Sequence, residues 1–367
     1  MEEKNITYVF GVGRRNIVNN PNYSDEFFYG FKYFKEDFDN VQFIEFYPGL
    51  NKKFIIIDKL LSKISNLPFY FNNIISRQNR KIFKNTDICI FTNERMLISS
   101  LIYLTLLKRN NIKSLVIIMG LFSKTTNSTI KNLFQKIFIN FTLSLVDNVV
   151  FLGEGELEIA KKNYPKFIKK YSHIPFMLNK NFWIKKDDIK LIERDKILFI
   201  GNDGKRDYKL VLEIAKKMPE FEFIIVSKII TKDQIKSENI KLINGYWNEN
   251  ILDDRKIQEI YDQARLTILP LVQSRQPSGQ SVALQSMSRG VPVIISQTEG
   301  FWDKKNFINM KNIIFAKKSS VDYWKRIINN SYHNEELLID ISNNGINLMK
   351  NLSDSRDFYE RLKKILF

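Results

Sequence analysis

The feature that most constrains the fold is an alternation of short apolar runs with longer segments of helical spacing. The runs form two series, at 6–12, 41–46, 87–92, 113–120 and 148–153 and then at 196–202, 221–227, 240–246, 266–271 and 291–296. Tyr208 to Met218 and Lys256 to Ala264 are two of the helical segments between them. Because parallel strands are buried on both faces and are joined by helical crossovers, this pattern predicts an α/β protein with two Rossmann-like parallel sheets.

The length of 367 residues also exceeds what one hydrophobic core usually supports. A segment between the two series is first aromatic and then strongly charged, as expected where a chain crosses between domains. We predict a first domain over 1–185, a second over 186–340, and a C-terminal helix over 341–367 that packs back toward the first domain. Two such sheets in tandem bind ligands in a cleft at the carboxyl ends of their strands, so loops that follow strands are where site residues are expected.

Two loops of the second domain combine features that suit a diphosphate. The stretch QPSGQSVALQSMSRGVPVI places Gly279, Gln280 and Ser281 at the start of a helix, whose first amides have no partner within the helix and whose dipole favours an anion. The loop FIGNDGKRDYKL follows another strand and carries Arg206 and Lys209, which are suited to bind phosphate oxygens. Two alternatives to a diphosphate site stay open. In the first stretch a serine can simply cap the helix, and in the second the charged side chains can simply be solvated.

These stretches resemble the donor-binding domain of family 4-like retaining glycosyltransferases of the GT-B architecture. The segments NGYWNENILDDRKIQEIYDQARLTILPL and HIPFMLNKNFW resemble it as well, so the likeness extends over about 145–300. It implies a hexosyltransferase that uses a nucleotide sugar, most often a UDP-sugar, and that requires no cofactor. Carried over by position, the donor contacts that the family implies are Arg206 and Lys209 with Gly279, Gln280 and Ser281 for the diphosphate, and Tyr246, Trp247 and Gln285 for the nucleoside.

One departure concerns the sugar. Many family members have two glutamates spaced eight apart, where this chain has Pro277 and Gln285. A glutamine can still bind a ribose diol, whereas a proline side chain has no group to bind a sugar hydroxyl. We therefore expect sugar contacts from Arg275 or Gln276, with Gly120 contributing from the first domain. An arginine suits a carboxylate, so UDP-glucose and UDP-glucuronate are the expected donors.

Two carboxylates of the first domain are candidates for the acceptor side. Ser24 is the predicted N-cap of a helix with Asp25 and Glu26 in its first turn, near the end of the first strand. A carboxylate there can orient or deprotonate an acceptor hydroxyl, although such residues also serve simply as partners of the helix dipole. The stretch GVGRRN has only two of the three glycines of a dinucleotide fingerprint, and the two histidines stand far apart, so no nicotinamide or metal site is expected.

Positive charge is concentrated in the first half of the chain. The net charge is +17, and within 51–140 there are 15 basic but only 3 acidic residues. The segment 51–71 is basic and amphipathic, which predicts contact with an anionic membrane surface, with an ordinary half-buried helix as the alternative. The predicted membrane contacts are Lys52, Lys53, Lys59, Lys63, Arg77 and Arg80.

The expected function is therefore transfer of a hexose or uronic acid from a UDP-sugar to a membrane lipid such as diacylglycerol, with the retention that the resemblance implies. Assembly of a polysaccharide or lipid-linked oligosaccharide is one alternative, and a non-catalytic protein that binds nucleic acid or an anionic surface is another. The longest uncharged apolar stretch, Met96 to Leu107, is shorter than the roughly 20 residues that span a bilayer. We expect a cytoplasmic protein that is peripheral on the inner face of the cell membrane and binds no nucleic acid.

Overall fold

A computed structural model describes residues 4–47, 49, 52–109, 112–124, 126–185, 190–245 and 252–367. The chain forms two compact units, each built on one parallel sheet of six strands. The first unit comprises Met1–Asn19, Phe27–Pro175 and Arg356–Phe367, and the second comprises Asn20–Glu26 and Phe176–Ser355. The predicted α/β fold with two Rossmann-like sheets is confirmed.

The strands are β1 (Ile6–Phe10), β2 (Val41–Glu45), β3 (Ile88–Phe91), β4 (Lys113–Ile118), β5 (Asn148–Phe151), β6 (Tyr171–His173), β7 (Lys196–Ile200), β8 (Glu222–Ser227), β9 (Ile240–Asn244), β10 (Ala264–Leu269), β11 (Val293–Ser296) and β12 (Ile314–Ala316). The helices are α1 (Phe31–Asp37), α2 (Lys52–Ser65), α3 (Arg77–Lys84), α4 (Glu94–Ser99), α5 (Leu101–Arg109), α6 (Thr129–Leu145), α7 (Glu154–Asn163), α8 (Lys180–Trp183), α9 (Tyr208–Lys216), α10 (Asp254–Gln263), α11 (Gln280–Ser288), α12 (Val321–Tyr332), α13 (Glu335–Asn351) and α14 (Ser355–Leu366). Among the described residues, no helix is both long enough and apolar enough to cross a membrane.

Each sheet is buried by helices. The strand order is β2-β1-β3-β4-β5-β6 in the first unit and β12-β11-β10-β7-β8-β9 in the second. The central strands β3 and β10 are buried along their whole length, as expected for parallel strands that are covered on both faces. Since all strands of a sheet run in one direction, the loops that follow them meet at one edge, where they can form a site.

Three features differ from the sequence-based expectation. The strands β6 and β12 were not predicted, because three residues are too few to show a pattern. After Ser24 the chain forms only one 3-10 turn, Glu26–Phe28, and the Ser24 hydroxyl bonds the Glu26 carboxyl. The first α-helix begins at Phe31, where the N-cap Gly30 has a φ of 82°. The chain passes between the units four times, after Asn19, Glu26, Pro175 and Ser355, and the crossing nearest the expected boundary at 185 is at Pro175. Helix α14 packs on Phe34 in the first unit through Tyr359.

Candidate active site

The loop after β7 brings Arg206 into the second unit with its side chain only 4% exposed. The Nη1 atom donates to the Asp203 carboxylate at 3.0 Å, and Nε donates to the carbonyl of Ile200 at 3.4 Å. The backbone of the same loop is joined to the segment after β10, because the Asp207 amide donates to Pro270 O at 2.9 Å and the Val272 amide to Lys205 O at 3.0 Å. The two loops that the sequence singled out therefore belong to one edge of one sheet.

Helix α11 begins at this edge. Its N-cap, Gly279, has a φ of 83°, and a Cβ atom there would lie 3.1 Å from Ile295 Cδ1. No side chain caps the helix. The Ser278 hydroxyl and the Nε2 atoms of Gln280 and Gln285 are buried and have no hydrogen-bond partner among the described residues. Because a buried donor without an acceptor costs about 1–3 kcal/mol, this end of the helix favours a ligand rich in oxygen acceptors.

A buried tyrosine, Tyr261, contacts Gln285. The Tyr261 hydroxyl lies 3.1 Å from the carbonyl of Val282 and 3.4 Å from Gln285 Oε1. Burial raises the pKa of Tyr261 well above its usual value, while the Arg206 charge acts to lower that pKa. Tyr261 thus stays protonated, orients the Gln285 carboxamide, and lies within electrostatic reach of Arg206.

The predicted sugar-binding residues lie in the segment that leads into α11. Arg275 is exposed, and its Nε lies 2.6 Å from the Glu299 carboxylate. The Gln276 amide donates to Ser274 Oγ at 3.1 Å. A Cβ on Gly300 would lie 2.4 Å from the Arg275 carbonyl carbon, so only glycine permits this approach of the two loops. Sequence reasoning did not identify Glu299 as a partner of Arg275.

The other predicted donor contacts are distributed more widely. Lys209 is exposed on α9, and Ser281 is half-buried in the first turn of α11. Tyr246 and Trp247 lie outside the described residues. Gly120 belongs to the first unit, in the loop after β4.

In that loop, Gly120 is buried with a φ of 133°. The surrounding backbone is held by two carboxyl groups, since the Met119 amide donates to Glu94 at 3.0 Å and the Phe122 amide to Glu156 at 3.1 Å. Burial, and after it the charge of Glu94, raises the pKa of Glu156 to about 8. The loop is thus fixed by carboxyl groups from the segments that follow β3 and β5, a feature the sequence did not indicate.

A cavity of about 540 Å³ opens at the carboxyl ends of β10, β11 and β12. Leu271, Ser296, Lys317 and Lys318 are among the residues that line it. Leu271 also pairs with Arg206 through an isolated β-bridge, so the cavity borders the loop after β7, residues 201–207, which we call the arginine loop. Its two lysines add positive charge to this edge, and sequence reasoning had not singled them out.

Asp25 and Glu26 lie in the second unit although they come early in the chain. The Ser24 amide donates to Asp254 at 2.9 Å, and the Trp183 indole donates to Glu26 Oε1 at 2.7 Å. Burial, and after it the charge of Asp254, raises the pKa of Glu26 to about 8. The Oδ1 atom of Asp25 is buried and has no hydrogen-bond partner within the described part of the chain.

The raised pKa of Glu26 implies a pH-dependent stability. The ordinary pKa of glutamate is 4.5, and that of Glu26 in the folded chain is about 8. Between these two pH values the folded chain keeps the proton on Glu26, whereas the unfolded chain has lost it. The contribution of protonated Glu26 to the free energy of unfolding is therefore fully present below pH 4.5 and is lost as the pH rises through about 8. We expect Glu26→Gln to flatten the fall in the free energy of unfolding over this range, measured by urea denaturation at a series of pH values. Glu259→Gln, at an exposed position of α10, is the control, and an unchanged slope in Glu26→Gln would contradict the assignment.

No family model and no curated protein sequence matches this chain. Solved structures do match. Anabaena HepE in complex with UDP-glucose gives a TM-score of 0.69 at 10% identity, with 99% of each chain covered. Sucrose-phosphate synthase from Thermosynechococcus elongatus gives 0.69 at 12% identity, with 99% of this chain and 98% of that one covered. A glycosyltransferase from Rickettsia africae gives 0.66 at 14% identity, with 100% and 98% covered.

These identities are too low to carry an activity from one protein to another, but each likeness extends over essentially the whole chain. Membership of family 4 and a role in glycolipid synthesis stay predictions. The expectation of a GT-B architecture is confirmed, and the chain has the fold of the GT-B glycosyltransferases.

Proposed function

We propose that the protein is a hexosyltransferase that uses a UDP-sugar as its donor. The observation that carries the proposal is that one edge of one sheet holds both a buried arginine and, at the start of α11, buried donors that have no partner. Arg206, Ser278 and Gln280 supply these groups. A nucleoside diphosphate offers oxygen acceptors to the unpartnered donors of Ser278 and Gln280. It also offers negative charge to the Arg206 guanidinium, which Asp203 already contacts at 3.0 Å. The UDP-glucose bound to Anabaena HepE supports the same ligand class.

In the proposed reaction, the bond from the anomeric carbon to the diphosphate breaks while the acceptor oxygen bonds to that carbon. Negative charge grows on the departing UDP, and Arg206 with the amides of Gly279, Gln280 and Ser281 stabilises it. Gln285 binds the ribose. The acceptor hydroxyl loses its proton to Asp25, with the protonated Glu26 as a positioning neighbour. Retention of anomeric configuration is supported only by the family resemblance.

The proposed acceptor is a membrane lipid such as diacylglycerol, and the proposed location is the inner face of the cell membrane. The supporting observation is that Lys53, Lys59 and Lys63 of α2 and Arg77 and Arg80 of α3 are exposed. The side chain of Lys52 lies outside the described residues. Assembly of a polysaccharide or a lipid-linked oligosaccharide is the alternative that this basic surface also accommodates.

The test is incubation with a panel of UDP- and GDP-sugars and a membrane lipid extract, with products identified by mass spectrometry. We expect a sugar-bearing lipid from one UDP-sugar, and a rise in melting temperature with UDP. If RNA or DNA raises the melting temperature while UDP does not, and no sugar is transferred, the protein is a nucleic-acid binder and the proposal is wrong.

A further prediction concerns the choice of donor. Arg275 forms an exposed ion pair with Glu299, and exposed pairs contribute little stability, so a donor carboxylate can compete for the guanidinium. We expect Arg275→Gln to lower kcat/KM for UDP-glucuronate by about tenfold or more, and for UDP-glucose by less than about threefold. The matched variant Glu299→Gln, which removes the competing carboxylate, should raise the use of UDP-glucuronate. Equal losses for both donors in Arg275→Gln would contradict the assignment.

A further inference from the structure

Helix α6 exposes a continuous apolar row on its outer side. The row is spaced by three or four residues, so its members lie on one side of the helix, and the opposite side is buried through Ile139 and Leu143. The exposed fractions are 69% for Ile130, 59% for Leu133, 38% for Phe134, 53% for Ile137 and 47% for Phe141. From the first to the last of these, the row is about 16 Å long. Soluble proteins rarely expose so many large apolar side chains in one row without a partner.

Helix α2 extends this row. It packs against α6 in the first unit, and both helices contribute to the same hydrophobic core, α2 through Leu61 and α6 through Phe138 and Ile139. On its outer side Ile56 is 67% exposed, Ile57 42% and Leu60 58%. Because neighbouring helices on one face of a sheet present their outer sides together, the apolar residues of α2 and α6 form one surface, which we call the α2–α6 face.

The charges around the α2–α6 face have one sign. Helix α6 contains no acidic residue, and the single acid of α2, Asp58, is buried and accepts hydrogen bonds from the amides of Phe71 at 2.8 Å and Asn72 at 3.1 Å. The other two acids between 51 and 140 also bind backbone amides, Asp87 that of Asn5 and Glu94 that of Met119.

The basic side chains, in contrast, reach the surface. Lys59 and Lys63 of α2 and Lys136 of α6 are exposed. No carboxylate on either helix offsets these ammonium groups at the surface.

We propose that the α2–α6 face docks on an anionic lipid bilayer. Apolar side chains at such a surface enter the membrane by about 5–10 Å, while lysines beside them meet lipid phosphates. A second copy of the chain fits less well, since it would bring the same lysines against each other. A nucleic acid would leave the aliphatic side chains without a partner. The inference rests on the proposed function only in expecting a lipid, and it is tested without any sugar nucleotide.

The experiment is sedimentation of the 367-residue chain with vesicles of phosphatidylcholine alone or with about one third phosphatidylglycerol. We expect binding to the anionic vesicles and at least about tenfold weaker partitioning to the neutral ones. The double variant Leu133→Gln with Ile137→Gln should lose about tenfold or more of the binding to anionic vesicles, because each side chain contributes buried apolar area. Lys59→Gln with Lys63→Gln should weaken binding and make it less sensitive to salt.

The matched control is Ile308→Gln with Ile339→Gln, which removes two equally large exposed apolar side chains from the second unit, where they are 47% and 41% exposed. This control should bind like the unaltered protein, and all variants should keep its melting temperature. Unchanged vesicle binding in the α6 variant would overturn the proposal. The proposal would also be overturned if the protein binds no vesicles but forms a dimer in solution that Leu133→Gln with Ile137→Gln dissociates. Failure of either kind leaves UDP binding unaffected, so the transferase proposal is judged separately.

Discussion

Replacing Arg206 with alanine is expected to lower the affinity for UDP by about 10- to 100-fold. Hydrogen bonds to charged groups contribute about 1.5–3 kcal/mol, and each 1.4 kcal/mol changes a dissociation constant about tenfold. The Arg206 side chain is only 4% exposed, so water screens its charge little, while its ion pair with Asp203 at 3.0 Å offsets part of that charge. Because the departing diphosphate carries more charge than the bound donor, kcat for sugar transfer should fall as well.

Lys209→Ala is the matched comparison. This lysine lies three residues further along the chain but is exposed on α9, where solvent screens its charge. Its loss should change the affinity for UDP by no more than about threefold. Isothermal titration with UDP gives both affinities, and the melting temperature shows whether Arg206→Ala is folded. A folded Arg206→Ala protein that binds UDP as tightly as the unaltered chain would refute the proposal that Arg206 binds the diphosphate.

Replacing Gly279 with alanine is expected to cost stability and donor binding together. Its φ of 83° is unfavourable for a residue with a Cβ by about 1–2 kcal/mol, and the added atom would lie 3.1 Å from Ile295 Cδ1. The contact requires Ile295 or the start of α11 to move by a few tenths of an ångström, and the strained φ acts on the same helix end. Since the amides at this helix end are the proposed phosphate ligands, we expect about tenfold weaker UDP binding and a melting temperature lower by a few degrees.

The chain offers a control for this glycine. A Cβ on Gly204, in the arginine loop of the same edge, would meet no atom within 4 Å, and its φ is not in the left-handed region. Gly204→Ala should therefore keep both the melting temperature and the UDP affinity. If Gly279→Ala lowers the melting temperature but leaves UDP binding intact, the start of α11 is a structural turn and not a phosphate site.

Local sequence patterns were sufficient to predict the sheets. Each of the ten predicted runs overlaps a strand, because buried parallel strands such as β3 and β10 are rich in apolar residues. The strands β6 and β12 span three residues each, which is too short for alternation or length to distinguish them from loops. The helix expected after Ser24 is only one 3-10 turn, Glu26–Phe28, and the first α-helix starts later, after the positive φ of Gly30.

The site could be predicted only where its residues follow strands. Arg206 and Gly279 are recognisable in this way, because loops at the carboxyl ends of parallel strands carry ligand-binding groups. The partners of other candidates come from distant parts of the chain. Trp183 lies 157 residues from Glu26, and Glu299 lies 24 residues from Arg275. No local pattern contains such pairs, so the raised pKa of Glu26 and the exposed ion pair of Arg275 needed the three-dimensional structure.

The central claim is that a UDP-sugar binds at the edge formed by the arginine loop and the start of α11. Hydrogen exchange of the backbone amides with and without UDP, read by mass spectrometry, tests it most directly. We expect UDP to protect the peptides that contain 201–207 and 278–284, and NADH at the same concentration to leave them unchanged. Absence of UDP-dependent protection in both peptides, or equal protection by NADH, would contradict the claim.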